Sequence, residues 1–335
     1  MAGILPLDVL AAPVCRRGIR VGGGHARRYH LSVRPSNPQR GARHDPSLEP
    51  GSLWPRLLER QQAALARGAL HPIETSAEVV EDAGVPFLVR WITGPESQRK
   101  FCAPQGPAAE NRNPFLPYDA DLFVADVSDT HFCLLSKFPA VAHHTLLVTR
   151  EFEEQMDPLT PRDWEALCVC MQEFDALAFY NSGAAAGASQ RHRHIQIVPP
   201  PVGAGPERAP IEALLDEARF DAAVGILERL PFLHALAKLR ADAPRTPGET
   251  AGALYALYCE MLRAFGCEDG RRPYNLLLTR DWMLFVPRTR EQWESISVNA
   301  LGFAGALLVR DPGELARVRA VGPMQVLRHV GVSRG

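Results

Sequence analysis

Between Asn181 and Val198 the chain reads NSGAAAGASQRHRHIQIV, a stretch with two chemically different halves. The first half has almost no side-chain bulk, so its backbone amides can approach an anion closely, as phosphate loops do. The second half alternates. On a strand, Arg191, Arg193, Ile195 and Ile197 would share one face, and His192, His194 and Gln196 the other. Two imidazoles and an amide on one strand face, directly after a loop suited to phosphate, mark this stretch as the candidate active centre.

A neutral imidazole attacks phosphorus through one ring nitrogen while the other keeps its proton and donates it to a fixed acceptor. His194 suits that role, because His192 and Gln196 flank it two residues away on the same face. The product would be a nucleotidyl phosphoramidate, passed on to a second nucleophile. Gln196 can donate to a phosphoryl oxygen but is a poor acid or base, which favours transfer to another phosphate over hydrolysis. Ser189 and Gln190, with the amides of Gly187 and Ala188, would hold the leaving phosphates. The competing readings are a zinc pair at His192 and His194, and a turn cap at Ser189 and Gln190. No cysteine or acid stands at obvious ligand spacing, so no metal site is assigned.

The elements that must position this stretch follow from pattern. Leu53, Leu57, Leu58 and Leu65 lie at helical spacing and Gly68 stops the helix. Val85 to Ile92 is β-branched and aromatic, hence a strand, and further strands are expected from Leu122, over Thr130 to Lys137 and over Thr145 to Thr149, as an antiparallel meander. Thr160 as N-cap, Pro161 and Asp163 open a helix with Trp164, Leu167, Cys168, Met171 and Phe174 on one stripe, expected to run to about Tyr180. Residues 210 to 240 look helical, 241 to 248 read as a linker, and Glu249 to Phe265 is helical again. Tyr274 to Thr279 and Trp282 to Val286 form a hairpin; Leu301 to Val309 is an apolar strand or buried helix start, and short helices end the chain.

Composition bounds the function. With 335 residues, 46% hydrophobic, and a formal net charge of -1, the chain can bury a large core and has no general affinity for nucleic acid or an anionic membrane. Seven cysteines with no CxxC pair argue against a disulfide framework and fit a reducing cytoplasm. No apolar run reaches the roughly 20 residues of a membrane span. Residues 1–48 are basic and rich in Gly and Pro, a disordered or wrongly annotated extension or a targeting peptide, so fold reasoning begins near Ser52.

Joined as NSGxxxGASQxHxHxQ, the central stretch resembles the histidine-triad superfamily branch that holds hexose-1-phosphate uridylyltransferases and diadenosine tetraphosphate phosphorylases, also called ATP adenylyltransferases. The segments at 68–75, 113–123, 128–155 and 274–288 look most like the phosphorylases, and the resemblance covers about residues 52–331. It implies an α+β fold, an antiparallel sheet with packed helices built as two similar histidine-triad-like halves: a catalytic domain over 49–205 and an ATP adenylyltransferase domain over 206–331. The activity it implies is phosphorolysis of diadenosine tetraphosphate to ATP and ADP through an adenylylated His194, with no covalently bound cofactor and Mg2+ accompanying the polyphosphate. A nucleotide-sugar phosphorylase or uridylyltransferase using the same strand, or a non-catalytic nucleotide sensor, are the alternatives. Carried over by resemblance are Gln196, the loop Gly187 to Gln190 and Asn181. His144, or its neighbour His143, would buttress the catalytic strand, and His192 matches a metal-binding position of the uridylyltransferases. Nucleotide contacts are implied for Asn275, Thr279, Met283 and Arg288, and phosphate contacts for Arg67 and Lys100.

Overall fold

The computed structural model describes residues 48–95, 97–98, 113–239 and 246–334. The basic segment at 1–47, Lys100 and the linker residues 241–245 lie outside the described residues. In chain order the elements are α1 (Leu53–Ala66), β1 (Thr75–Asp82), β2 (Val85–Ile92), β3 (Phe123–Asp126), β4 (His131–Leu135) and β5 (Thr145–Thr149), followed by α2 (Pro161–Glu173), β6 (Leu177–Asn181) and β7 (His194–Val198). Then come β8 (Arg219–Asp221), β9 (Val224–Ile226), β10 (Ala235–Lys238), α3 (Pro247–Phe265), β11 (Tyr274–Leu278) and β12 (Trp282–Pro287). The chain closes with β13 (Gln292–Trp293), β14 (Ile296–Ser297), α4 (Ala300–Phe303), β15 (Ala306–Val309), α5 (Pro312–Val321) and α6 (Pro323–Val330).

Ten strands form one antiparallel sheet in the order β3-β4-β5-β7-β6-β11-β12-β10-β9-β8. Outward from the central β6 and β11 pair, each side takes its own five strands in the same sequence of ranks: fourth, fifth, third, second, first. The sheet is therefore two copies of one topology joined edge to edge, the repeated architecture the resemblance implied. Among the described residues no helix is long and apolar enough to cross a membrane.

One face of this sheet is closed by helices. Ile195, Ile197, Ala178, Tyr180, Leu276 and Phe285 pack with Leu57 of α1, Trp164 and Leu167 of α2 and Tyr258 of α3. Helix α2 starts as the sequence indicates: Asp163 Oδ2 accepts from Thr160 N (2.6 Å) and Oγ1 (2.7 Å). Helix α3 opens on a reciprocal cap between Thr246 and Glu249 and stops at Gly266, whose φ of +62° is left-handed.

The other face is covered in two parts. Leu177, Phe179, Val198, Leu277, Trp282 and Leu284 lie under the small β1-β2-β15 sheet and the C-terminal helices. Val148, Phe132 and Leu134 instead pack with Phe115 from the loop before β3. In register, His194 sits opposite Val148, and Gln196 lies between Leu146 of β5 and Phe179 of β6. The seam between the two coverings runs along β7.

Several sequence expectations need correction. Leu65 is exposed, and Ala64 takes the inward place on α1. Helix α2 ends at Glu173 instead of Tyr180, because residues 177–181 form the central strand β6. That strand is buried on both faces, so it lacks the alternation that separates strand from helix. Residues 210–240 are not helical throughout: a 3-10 helix at Pro210–Glu217 is followed by the short strands β8, β9 and β10. Strand β1 carried no sequence signal, since its Glu and Asp residues leave neither face consistently apolar. The stretch Leu301 to Val309 is both alternatives in succession, the end of α4 and then β15.

Candidate active site

Strand β7 begins at His194, three residues after the start of the sequence alternation at Arg191. Residues 191–193 bond the segment after β5: Gln155 N donates to Arg191 O (2.7 Å), Arg193 N to Glu153 O (2.8 Å), and His192 bridges Glu154. The face assignment nonetheless holds. Arg193 turns toward α2, where it meets Asp163 at 3.2 Å and also pairs with Glu153, while Arg191 lies exposed beside Glu154. Phe115 contacts the rings of both His192 (5.5 Å) and His194 (5.4 Å), which places them on the opposite side.

His194 is buried, with 4% exposure. Its Nδ1 lies 2.8 Å from His192 O, and a carbonyl can only accept, so Nδ1 carries the proton. The lone pair is therefore on Nε2, for which no partner exists among the described residues. Burial pushes the imidazole pKa down to about 4, so the ring is neutral at physiological pH. A neutral ring with a fixed tautomer and an unengaged nitrogen is what nucleophilic attack needs.

His192 is differently placed. Its Nε2 donates to Thr149 O (2.8 Å) and lies 3.0 Å from Thr149 Oγ1, so Nδ1 is the acceptor, and it takes a hydrogen bond from Asn113 Nδ2 at 3.0 Å. Both nitrogens are spent on protein groups. The expectation of a catalytic His192 is corrected accordingly: the ring is a fixed post, and its contribution is the backbone carbonyl that holds His194.

His143 and His144 separate to opposite sides. His143, with a left-handed φ of +58°, packs against Trp54 of α1 (5.2 Å). His144 packs against Phe179 (5.7 Å), interacts with Gln196, and has its pKa lowered to about 4 by burial. The structure thus brings His144, not His143, to Gln196.

The glycine-rich loop follows β6 through a 3-10 turn at Ala184–Ala186. Gly187 has φ +90°, and a Cβ there would stand 2.8 Å from Val298 O. Gly183 has φ +79°, and its Cβ would overlap Met156 Sδ at 1.9 Å. Close packing of the loop on its neighbours requires both glycines. Gly187 N donates to Ala184 O (2.8 Å) and Ala188 N to Gly183 O (3.1 Å), so these two amides are not the phosphate donors expected of them. The amides of Ser189 and Gln190 have no acceptor among the described residues and remain available.

Asn181, Asn275 and Arg288 are brought together beneath that loop. Asn181 Oδ1 accepts from Asn275 Nδ2 (2.8 Å) and Ala300 N (2.9 Å), and Asn275 Nδ2 also reaches Ala186 O (2.8 Å). Arg288 is 3% exposed and gives all five N–H groups to protein acceptors: Val330 O, Ala186 O, Asn275 Oδ1, Arg290 O and Glu291 O. Burial among neutral acceptors lowers its pKa to about 9. The donors of Arg288 and the side chain of Asn275 are committed to bracing the loop, in place of the nucleotide contacts expected of them, while Asn181 uses only Oδ1 in that bracing. Met283 faces α3 with no exposed surface, and Thr279 Oγ1 accepts from the amides of Asp281 and Trp282 in the hairpin turn, so neither contacts the site. Arg67 caps the end of α1 and pairs with Asp121 at the surface.

Three contributors escaped sequence reasoning: Asn113, Thr149 and Gln155. Gln155 Oε1 accepts from His194 N (2.8 Å), and its Nε2 donates to Asn181 O (2.9 Å) and His194 O (3.1 Å). A single amide or hydroxyl in an irregular segment leaves no periodic trace.

A sheet of two repeated halves, with a buried imidazole uncommitted at Nε2 beside a tightly packed glycine-rich loop, fits a nucleotidyltransferase. Models of two domains match the chain, the Ap4A phosphorylase N-terminal domain over residues 43–217 and the ATP adenylyltransferase C-terminal domain over 228–333. The chain belongs to the Ap4A phosphorylase family. Diadenosine 5',5'''-P1,P4-tetraphosphate phosphorylase 2 of Saccharomyces cerevisiae is 27% identical over 255 residues, 67% of this chain and 77% of that protein. Protein APA1 of the same yeast is 25% identical over 301 residues, 80% and 90% of the two chains. The crystal structure of yeast Ap4A phosphorylase Apa2 in complex with Ap4A superposes with a TM-score of 0.69 at 23% identity, covering 84% of this chain and 98% of that one.

Proposed function

We propose that this protein cleaves diadenosine tetraphosphate with inorganic phosphate to ATP and ADP, through an adenylyl group carried on His194. The reading rests on one observation above the others: Nδ1 of His194 is tied to His192 O while Nε2 is uncommitted. Nε2 attacks the α-phosphorus, the bond from that phosphorus to the bridging oxygen breaks, and ATP leaves. The ring keeps its Nδ1 proton throughout and becomes cationic, a charge that the His192 carbonyl stabilises. Inorganic phosphate then attacks the same phosphorus, the N–P bond breaks, ADP forms and the ring returns neutral. No proton has to leave the imidazole in either step.

Gln196 and the free amides of Ser189 and Gln190 are suited to donate to phosphoryl oxygens as charge shifts between them. His144 lies beside Gln196 and packs on Phe179. Mg2+ enters as part of the substrate, bound to the tetraphosphate whose charge it screens. The relatives' names, their shared domain models and the chemistry of Gln196, which equips the site poorly to activate water, favour phosphate over water as acceptor. The test is chromatography of products from diadenosine tetraphosphate with and without phosphate. ATP and ADP appearing only with phosphate support the reading; ATP and AMP at the same rate without phosphate would sink it.

A further inference from the structure

β6 and β7 pair regularly from Leu177 with Val198 to Phe179 with Gln196, and there the ladder stops. Continued by two positions, the same register would join Asn181 to His194. In its place stands the side-chain amide of Gln155, which is 1% exposed. It accepts from His194 N and donates to the carbonyls of both His194 and Asn181, so it substitutes for a peptide group between two strands that have parted. Gln155 is itself fixed, since its N donates to Arg191 O (2.7 Å) and its carbonyl accepts from Tyr180 Oη (2.5 Å). The strands diverge at the level where the glycine-rich loop leaves β6 and the histidine enters β7.

We propose that Gln155 is a positioning residue that holds this fork open by one amide's width and thereby aims His194 Nε2 at the phosphorus seated against the loop. The proposal rests on the assignment of His194 as nucleophile. Both hydrogen-bonding groups of the His194 backbone are held by this one side chain, so the ring's height above the sheet follows the amide. Without it the Asn181 and His194 carbonyls lose a shared donor, and the two strands either close on each other or spread. A displacement near 1 Å costs a reaction of this kind about 10²-fold, because attack requires near-contact geometry.

The experiment compares wild type, Gln155→Leu, Gln155→Glu and His194→Ala in steady-state phosphorolysis, with rates referred to the folded fraction from circular dichroism. In Gln155→Leu, kcat is expected to fall about 10²-fold with KM changed less than about threefold, because the loop amides of Ser189 and Gln190 are untouched. Gln155→Glu keeps the acceptor for His194 N but faces two carbonyls with a carboxylate, so its kcat should recover as the pH is lowered and the carboxyl gains a proton to donate. Wild type should show no such recovery. Wild-type kcat in folded Gln155→Leu, or parallel pH profiles for Gln155→Glu and wild type, would overturn the positioning role. Should Gln155→Leu fail to fold, the Gln155→Glu profile decides alone. An active His194→Ala would instead overturn the nucleophile assignment, which separates the two failures.

Discussion

β7 and β12 hold the same rank in the two halves of the sheet, and each turns three residues to the same face. On β7 these are His194, Gln196 and Val198; on β12 they are Trp282, Leu284 and Val286. The second set is wholly buried beneath the β1-β2-β15 sheet, and Trp282 Nε1 is satisfied by Glu212 Oε1 at 2.6 Å. Of the first set, Val198 lies under the same covering, while His194 and Gln196 stand at the seam where it ends. The fold is repeated and its use is not: the proposed nucleophile of β7 stands at the seam between two coverings, and in the other half the same place is core.

A second contrast sharpens the first. His234, just before β10, uses the device seen at His194: Nδ1 bonds the carbonyl two residues back, Phe232 O, at 2.9 Å, and burial takes the pKa to about 4. Its Nε2, however, accepts from Leu227 N at 2.8 Å. Both rings are buried, neutral and fixed in tautomer. Only His194 has a lone pair to give.

The comparison can be broken most decisively by exchanging function for packing. His194→Asn should lower phosphorolysis by about 10⁴-fold or more while the unfolding midpoint changes little, read by product assay and denaturant titration. Trp282→Ala should do the reverse, losing about 3–5 kcal/mol of stability with kcat per folded molecule unchanged, because a large buried side chain leaves a cavity. His234→Ala should cost about 2 kcal/mol by leaving the buried Leu227 amide unpaired, again without a catalytic effect.

The pH dependence follows from the same rings. His194 and His234 bind a proton in the unfolded chain near the ordinary imidazole value of 6.5, but in the native state only at about 4. The unfolded state therefore binds more protons between these values, and stability should be full above about pH 6.5 and be lost as the pH falls toward 4. His234→Ala should make that loss shallower in thermal melts. The smallest expected effect is on chemistry: the single-turnover rate of adenylyl transfer should vary less than about twofold between pH 7.5 and 5.5, since His194 stays neutral across that range. An acid limb centred near 6.5 would place the titrating ring in solvent.

Much of this was legible in the residues. The alternation RHRHIQIV separated His194 and Gln196 from Ile195 and Ile197 correctly, because period-two burial on a strand closed by helices on one face is a strong signal. Thr160, Pro161 and Asp163 marked the start of α2 to the residue, since a cap is local chemistry. The end of that helix was not legible: LAFYN in β6 is apolar on both sides, and only its neighbours in space make it a strand. The same limit applied to the cations. Arg288 reads as a nucleotide contact until its five donors are counted against protein acceptors. Gln155 reads as one more polar residue after an acidic run until its amide is found between two strands. Such roles depend on contacts between residues far apart in the chain, 26 positions between Gln155 and Asn181 and 102 between Ala186 and Arg288, which no window of sequence contains.

The central claim is that Nε2 of His194 carries the adenylyl group between the two half-reactions. It is tested by mixing the enzyme with diadenosine tetraphosphate labelled in adenine, without phosphate, quenching in alkali and mapping the label by peptide mass spectrometry. Close to one acid-labile adenylate per chain, attached at His194 and discharged to ADP on adding phosphate, is the expected result. Full phosphorolysis with no bound label, or label on any other residue, would contradict the account.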